Sequence, residues 1–303
     1  MTPVGEIGKH LTVASFLQTG DTIGIATPAS PYHRKNFEAG IQILKQWGFN
    51  VARGRAVSRK GYLAGTDRER AEELMGFFLD PAIKAIICSR GGYGAMRLLD
   101  LLDYKTIRKH PKLFLGFSDI TVLLMALWKK SRLMTFHGPM VVSLPKLNPL
   151  SLARVRSVLS GAYAFEIPLC PVEPFSGRST EGILLGGNLT LLAHLIGTPY
   201  EPDWNRALLF LEDCGEAPYR LDRLFTHLKM RGALKKISAI LLGQFSGPNQ
   251  QKLTSRWFKT WLADLEVPVW TGLPIGHGFQ NFTLPVGAPA YLDATKGLLS
   301  VNL

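Results

Sequence analysis

The sequence predicts an α/β protein, with a helix-covered parallel sheet in its first half and a β-rich α/β second half. Three observations carry this reading. Short apolar runs alternate with amphipathic stretches from residue 21 to about residue 130. The runs end in turns rich in glycine, proline or serine. Beyond Met140 the alternation breaks up, and shorter strand-like pieces take over. Repeated βα units imply parallel strands joined by helical crossovers.

Asp21–Ala26 is the first predicted strand, closed by the turn Thr27-Pro28-Ala29-Ser30. A helix follows from about Lys35 to Trp47, stopped by Gly48. Ala85–Ser89 is the next strand; it runs into Arg90-Gly91-Gly92-Tyr93-Gly94 and then an amphipathic helix carrying Met96, Leu98, Leu99 and Leu102. Leu113–Leu115 is a buried strand that breaks at Gly116-Phe117-Ser118-Asp119, and Ile120–Trp128 resumes as a helix. Ligands of such sheets bind beyond the C-terminal ends of the strands, so the Gly-rich turn and Ser118 are both predicted at that edge.

Pro145, Pro149, Pro168, Pro171 and Pro174, with Gly161 and Gly177, mark a connecting region. The predicted organisation is a first domain over 1–150, a linker over 151–175 and a second domain over 176–303. The second domain has strand-like runs at Gly182–Leu185, Ala207–Leu211 and Ala239–Leu242 and a helix over Tyr219–Met230. Its β-rich end carries Pro285–Ala288 and Leu298–Val301.

With 46% hydrophobic and 19% charged residues, the 303-residue chain has the composition of a folded protein rather than a disordered one. Cys88, Cys170 and Cys214 are few, odd in number and widely spaced, which suits neither a disulfide framework nor a CxxC metal site. No basic leader and no long apolar span is evident, so a soluble, cytoplasmic protein with no membrane partner is expected. Most of the net charge of +12 falls in residues 1–150, where 21 Lys and Arg face 11 Asp and Glu. The basic residues stand singly or in pairs such as Arg34-Lys35, Arg59-Lys60 and Lys129-Lys130, without aromatic interleaving. Such scattered charge reads as solvated surface, and no nucleic-acid partner is expected.

Four segments could carry chemistry. Ser118 stands at a strand-turn-helix junction, the setting of an acylating serine, although Ser118 or Asp119 could equally cap the helix. The sequence there is not G-x-S-x-G, so the α/β-hydrolase elbow does not apply. The Gly-rich turn 89–94 matches neither the dinucleotide fingerprint nor the P-loop; an oxyanion hole and a merely tight turn both fit. Glu212, at the end of an apolar strand, could orient a histidine or simply belong to a turn. His277, flanked by Gly276 and Gly278, is an unencumbered imidazole suited to proton transfer at neutral pH. No histidine pair shows zinc spacing, so neither a catalytic metal nor another cofactor is expected. The chain order is Ser…Glu…His.

At these residues the chain resembles the LD-carboxypeptidase family of serine peptidases, the muramoyltetrapeptide carboxypeptidases. The matching segments are Ser89–Gly94, Gly116–Thr121, Gly186-Gly187-Asn188-Leu189-Thr190, Phe210–Arg223 and Gly276-His277-Gly278, in family order. The resemblance implies a flavodoxin-like N-terminal domain, a β-rich C-terminal domain and a homodimer. It implies Ser118 as nucleophile, His277 as general acid/base and Glu212 as its orienting partner. The backbone N–H groups of Gly92 and Asp119 would form the oxyanion hole. The implied reaction releases the terminal D-alanine from cytoplasmic murein tetrapeptides in peptidoglycan recycling. A second activity of the same family, an amidase acting on peptidyl-nucleotide antibiotics of the microcin C type, would use the same triad. A nucleobase favours an aromatic stacking surface, whereas Leu184-Leu185 precedes the Gly186-Gly187-Asn188 segment here. A non-catalytic peptide-binding module is the reading from a different class.

Overall fold

The computed structural model describes residues 11–54, 61–173, 177–253 and 255–301. Pro174, the Arg59-Lys60 pair and the first ten residues, where a leader was sought, lie outside the described residues. The chain forms two compact units, one of Leu11–Ala162 with Asn281–Pro285 and the other including Tyr163–Gln280 and Val286–Leu303.

In the first unit β1 (Thr22–Ala26), α1 (Arg34–Gln46), β2 (Asn50–Arg53), α2 (Asp67–Leu79) and β3 (Ile83–Cys88) follow in order. Next come α3 (Tyr104–Lys109), β4 (Leu113–Gly116), α4 (Thr121–Ser131), β5 (Thr135–His137) and α5 (Pro149–Leu159). Strands β1 to β5 pair in parallel, in the order β2-β1-β3-β4-β5. That is the flavodoxin-like order, which reverses direction between β1 and β3. Every residue of β4 is buried, as expected of a central parallel strand covered on both faces. Helix α4 is buried from Thr121 to Trp128, which explains why its sequence is apolar all round rather than striped.

The second unit contains β6 (Phe165–Pro168), β7 (Cys170–Pro171), β8 (Thr180–Asn188), α6 (Leu189–Leu195), β9 (Ala207–Cys214) and α7 (Pro218–Met230). It continues with β10 (Ala239–Ser246), α8 (Ser255–Trp261) and β11 (Val269–Thr271). After β12 (Leu284–Val286) come β13 (Pro289–Asp293) and β14 (Leu298–Val301). Its eight-stranded sheet runs β6-β14-β13-β8-β9-β10-β11-β7. The centre, β8 to β11, is parallel, and the flanking pairs are antiparallel. Among the described residues no helix is long and apolar enough to cross a membrane.

Several sequence expectations change. The stretch 151–175 is not a plain linker: it contains most of α5 and the strands β6 and β7. Pro149 breaks no helix because it occupies the first turn, where a missing N–H costs nothing, and Asn148 caps that turn through Ser151 N at 2.8 Å. Pro285 and Val286 belong to β12, which joins β5 in the first sheet rather than forming a strand of the second. The expected amphipathic helix after the Gly-rich turn is a 3-10 helix, Ala95–Leu101. Strand β2 and helix α2 went unread. The strand is short and half-exposed, and the helix begins at a legible capping box of Thr66 and Glu69.

Candidate active site

Strand order explains the serine's surroundings. Because β4 lies beside β3, the turn after β3 and the turn after β4 leave the same sheet edge as neighbours. A Cβ built on Gly91 would stand 3.2 Å from Ser118 Cβ and 3.3 Å from Asp119 N. A side chain at this position would have to push the two turns apart by a few tenths of an ångström. The turn after β1 joins them: Ser30 N donates to Gly91 O at 3.2 Å, and Tyr93 N donates to Ser30 Oγ at 3.1 Å. Gly92 is exposed on this turn with φ 103°.

Ser118 itself has φ 62°, a left-handed conformation that costs a non-glycine residue about 1–2 kcal/mol. Neither it nor Asp119 acts as the cap of α4, whose N-terminus has no side-chain cap. The Asp119 carboxylate instead accepts from Ala95 N at 2.8 Å, tying the serine turn to the 3-10 helix beyond the Gly-rich turn. Burial raises the Asp119 pKa, against the opposing effect of the Ala95 N–H and Arg70.

Three further side chains in this unit support these turns. Arg70, 3% exposed, donates to the carbonyls of Pro28 and Gly94 and so staples the turns after β1 and β3. Arg90 is also committed, donating to Pro31 O at 2.7 Å. His137, at the end of β5 opposite Gly116, makes a T-shaped contact with the Phe117 ring, the centroids 6.0 Å apart, next to Ser118 in sequence. No periodic signal marks a long-range staple of this kind, because its partners are backbone carbonyls.

Glu212 and His277 lie in the second unit, and the structure brings them together. Glu212 is fully buried within β9, which continues three residues past Leu211, the end expected for it. Its Oε2 lies 2.8 Å from His277 Nδ1. The carboxylate is acceptor-only, so Nδ1 carries the proton and Nε2 is the basic nitrogen. The imidazole keeps 27% of its side-chain surface exposed. Burial works against its charged form, but the Glu212 carboxylate, aided by hydrogen bonding to the Cys214 and Glu212 side chains, outweighs burial and raises its pKa.

Asn188 holds the carboxylate side of this pair. It sits opposite Glu212 in the β8–β9 register, and its Nδ2 donates to Glu212 Oε1 at 3.4 Å and to Asp213 Oδ1 at 3.0 Å. Asp213 also accepts from Thr190 N and Thr190 Oγ1 at 2.9 and 2.8 Å. Burial, then the Glu212 charge, push its pKa up to about 6 against those hydrogen bonds. The motif Gly186–Thr190 thus serves as second-strand support for the acid. Gly186 is required there, since a Cβ would stand 1.8 Å from Phe210 O. Leu184 and Leu185 are core residues of β8, so their apolar character carries no information about a substrate surface.

Among the described residues no group of three His, Cys, Asp or Glu side chains is arranged to hold a metal ion. The chemistry on offer is therefore a strained serine beside a Gly-rich turn and a carboxylate-bound histidine.

Both halves of the sequence match one family: its N-terminal domain over residues 23–138 and its C-terminal domain over residues 181–292. The chain belongs to the LD-carboxypeptidase family of serine peptidases. It is 36% identical to the murein tetrapeptide carboxypeptidase of Pseudomonas aeruginosa, over 90% of this chain and 94% of that one. Its fold superposes on the muramoyltetrapeptide carboxypeptidase of Oxalobacter formigenes with a TM-score of 0.84 at 34% identity, covering 93% and 99% of the two chains. The microcin C7 self-immunity protein MccF of Escherichia coli is also similar, at 28% identity over 98% of this chain and 97% of that one.

Proposed function

We propose that this LD-carboxypeptidase family member hydrolyses the L,D amide bond of murein tetrapeptides and releases the terminal D-alanine, with Ser118, His277 and Glu212 as its triad. The observation that carries the reading is the 2.8 Å pairing of His277 Nδ1 with a fully buried Glu212, which leaves Nε2 as a base of raised pKa. The left-handed Ser118 beside Gly91 supplies the matching nucleophile. Strain held at a hydroxyl-bearing turn is a common mark of a reacting residue.

In the proposed reaction His277 Nε2 takes the Ser118 proton as Ser118 Oγ attacks the amide carbonyl. The backbone N–H groups of Gly92 and Asp119 hold the oxyanion. The C–N bond breaks, and D-alanine leaves with the proton from His277. Water, deprotonated by His277, then attacks the ester; the C–Oγ bond breaks, His277 returns that proton to Ser118 Oγ, and the shortened peptide leaves as its carboxylate. No step needs a metal or a cofactor. Work in the cytoplasm is consistent with three cysteines that form no disulfide. We place the enzyme in peptidoglycan recycling and take the homodimer as its working state, which sedimentation of the purified chain tests.

The similarity to MccF makes the peptidyl-nucleotide amide the competing substrate. Mass spectrometry of products from a murein tetrapeptide and from a peptidyl-sulfamoyl-adenosine separates the two. Free D-alanine and a tripeptide are expected from the first. Cleavage of the second compound alone would overturn the murein assignment and leave the triad in place.

A further inference from the structure

Residues 275–280 carry His277 on a segment with no helix or strand of its own, yet a general base has to be held to a fraction of an ångström. Glu212 constrains the imidazole ring, not the backbone that bears it. One residue of the neighbouring strand addresses that backbone at three points. Gln244 N donates to Ile275 O at 2.9 Å, Gln244 Oε1 accepts from Gly278 N at 3.1 Å, and Gln244 Nε2 donates to Gln280 O at 3.1 Å. These bonds bracket His277 on both sides.

The strand makes room for this. The β10–β9 register shifts between Leu242 and Phe245, so Gly243 and Gln244 fall where the ladder to β9 is interrupted. A Cβ on Gly243 would meet Ile275 Cγ1 at 2.4 Å, so the strand and the segment are in direct contact there. The two glycines beside His277 are explained in the same way. A Cβ on Gly276, which has φ 136°, would come within 2.7 Å of Gln244 Cβ, and one on Gly278 within 2.5 Å of Gln244 Oε1. Gly276-His277-Gly278 is therefore shaped around the Gln244 side chain.

We infer that Gln244 is a positioning residue for His277: its side-chain amide clamps the backbone at Gly278 and Gln280, its own N–H holds Ile275, and together they fix the imidazole against Glu212. The inference rests on His277 being the general base. Gln244 touches no reacting atom and acts only through the segment that it holds. Two of its three hydrogen bonds come from the side-chain amide and one from the backbone N–H, so loss of the amide frees the 278–280 side of the segment and leaves the Ile275 bond in place. Glu212 and Cys214 act on the imidazole ring, whereas Gln244 acts on the backbone that carries it.

The test compares wild type, Gln244→Ala, Gln244→Glu, Gly278→Ala and the Gln244→Ala/Gly278→Ala double variant, with His277→Ala as reference, by steady-state kinetics on a murein tetrapeptide. A misplaced base costs up to about 10²-fold in rate. Gln244→Ala is expected to lower kcat by about 10- to 100-fold with KM within about twofold, since the loss falls on the chemical step. Gln244→Glu keeps the acceptor for Gly278 N and loses the donor to Gln280 O, so it should fall between wild type and Gln244→Ala. It also serves in place of Gln244→Ala if the latter does not fold. Gly278→Ala should mimic Gln244→Ala, and the double variant should be no worse than either, because both remove one clamp. The acidic limb of the kcat profile should also move down toward the free-imidazole value in Gln244→Ala, a shift that loss of packing would not produce. A folded Gln244→Ala or Gln244→Glu variant with wild-type kcat and pH profile, beside an inactive His277→Ala, would overturn the clamp and spare the triad. An active His277→Ala variant would remove the triad itself.

Discussion

The serine turn and the histidine segment solve one problem, holding a candidate catalytic side chain still, by different means. Ser118 is held chiefly by close packing: a short turn, a left-handed φ of 62°, and a glycine at position 91 that lets a second turn approach to van der Waals contact, with the Asp119 carboxylate tying the turn to Ala95 N. His277 is held by polar bonds: one to the Glu212 carboxylate, with Gln244 on the backbone to either side. Steric placement does not respond to pH and fails when volume is added. Polar placement titrates, and fails when a donor or acceptor is removed.

The comparison breaks most sharply at its ends. Ser118→Ala should abolish turnover of a murein tetrapeptide, by about 10⁵-fold or more, because triad members act as a unit. Circular dichroism and Tm should remain those of the folded wild type. A folded Ser118→Ala enzyme of near-normal kcat would remove the nucleophile from this position.

Glu212→Gln comes next, with an expected loss of about 10⁴-fold in kcat if the carboxylate sets the tautomer and charge of His277. Its pH signature has a definite sign. The base must be neutral, and Glu212 raises its pKa, so wild-type activity should climb with pH through a value above the free-imidazole figure of about 6.5. The variant's residual activity should rise at lower pH. The same shift bears on stability. A histidine whose folded pKa is raised stabilises fully below its unfolded value, and that contribution fades as pH rises through the folded value. Urea titrations should therefore show Glu212→Gln losing more stability at pH 6 than at pH 10. An equal loss at both would mean that the pair is not ionic.

Gly91→Ala sharpens the steric side. The added methyl must displace Ser118 or Asp119 from contacts of 3.2 and 3.3 Å, and a kcat loss of up to about 10²-fold with little change in the acidic limb is expected. A limb that moves would show the two halves to be held by a shared constraint. The smallest effect belongs to Ser118→Gly. Relief of the left-handed strain should add about 1 kcal/mol of stability in chemical denaturation while activity is lost. A destabilised glycine variant would mean that the Ser118 side chain contributes more to folding than its backbone costs.

Legibility in the sequence followed locality. Buried parallel strands write themselves as uninterrupted apolar runs, so β1, β3, β4, β8, β9 and β10 could be read from composition alone. Strand β2 alternates too weakly to stand out, and α5 is masked by Pro149, which is its first residue. The fate of Pro285–Val286 was illegible for another reason: the segment pairs with β5, about 150 residues upstream, and nothing local records a partner at that distance.

The chain by itself determined the fold class, the family and the identity of Ser118, Glu212 and His277 as candidates, because each rests on residues adjacent in sequence. Tertiary structure alone decided how those candidates are supported. Gly91 lies against the serine, Asp119 uses its carboxylate to hold the neighbouring turn, Asn188 bridges two buried acids, and Gln244 brackets the histidine. These are contacts between segments 24 to 36 residues apart, set by strand order and a register shift. Hydrogen bonds and close approaches act over a few ångströms in space, and a linear sequence carries no measure of that distance.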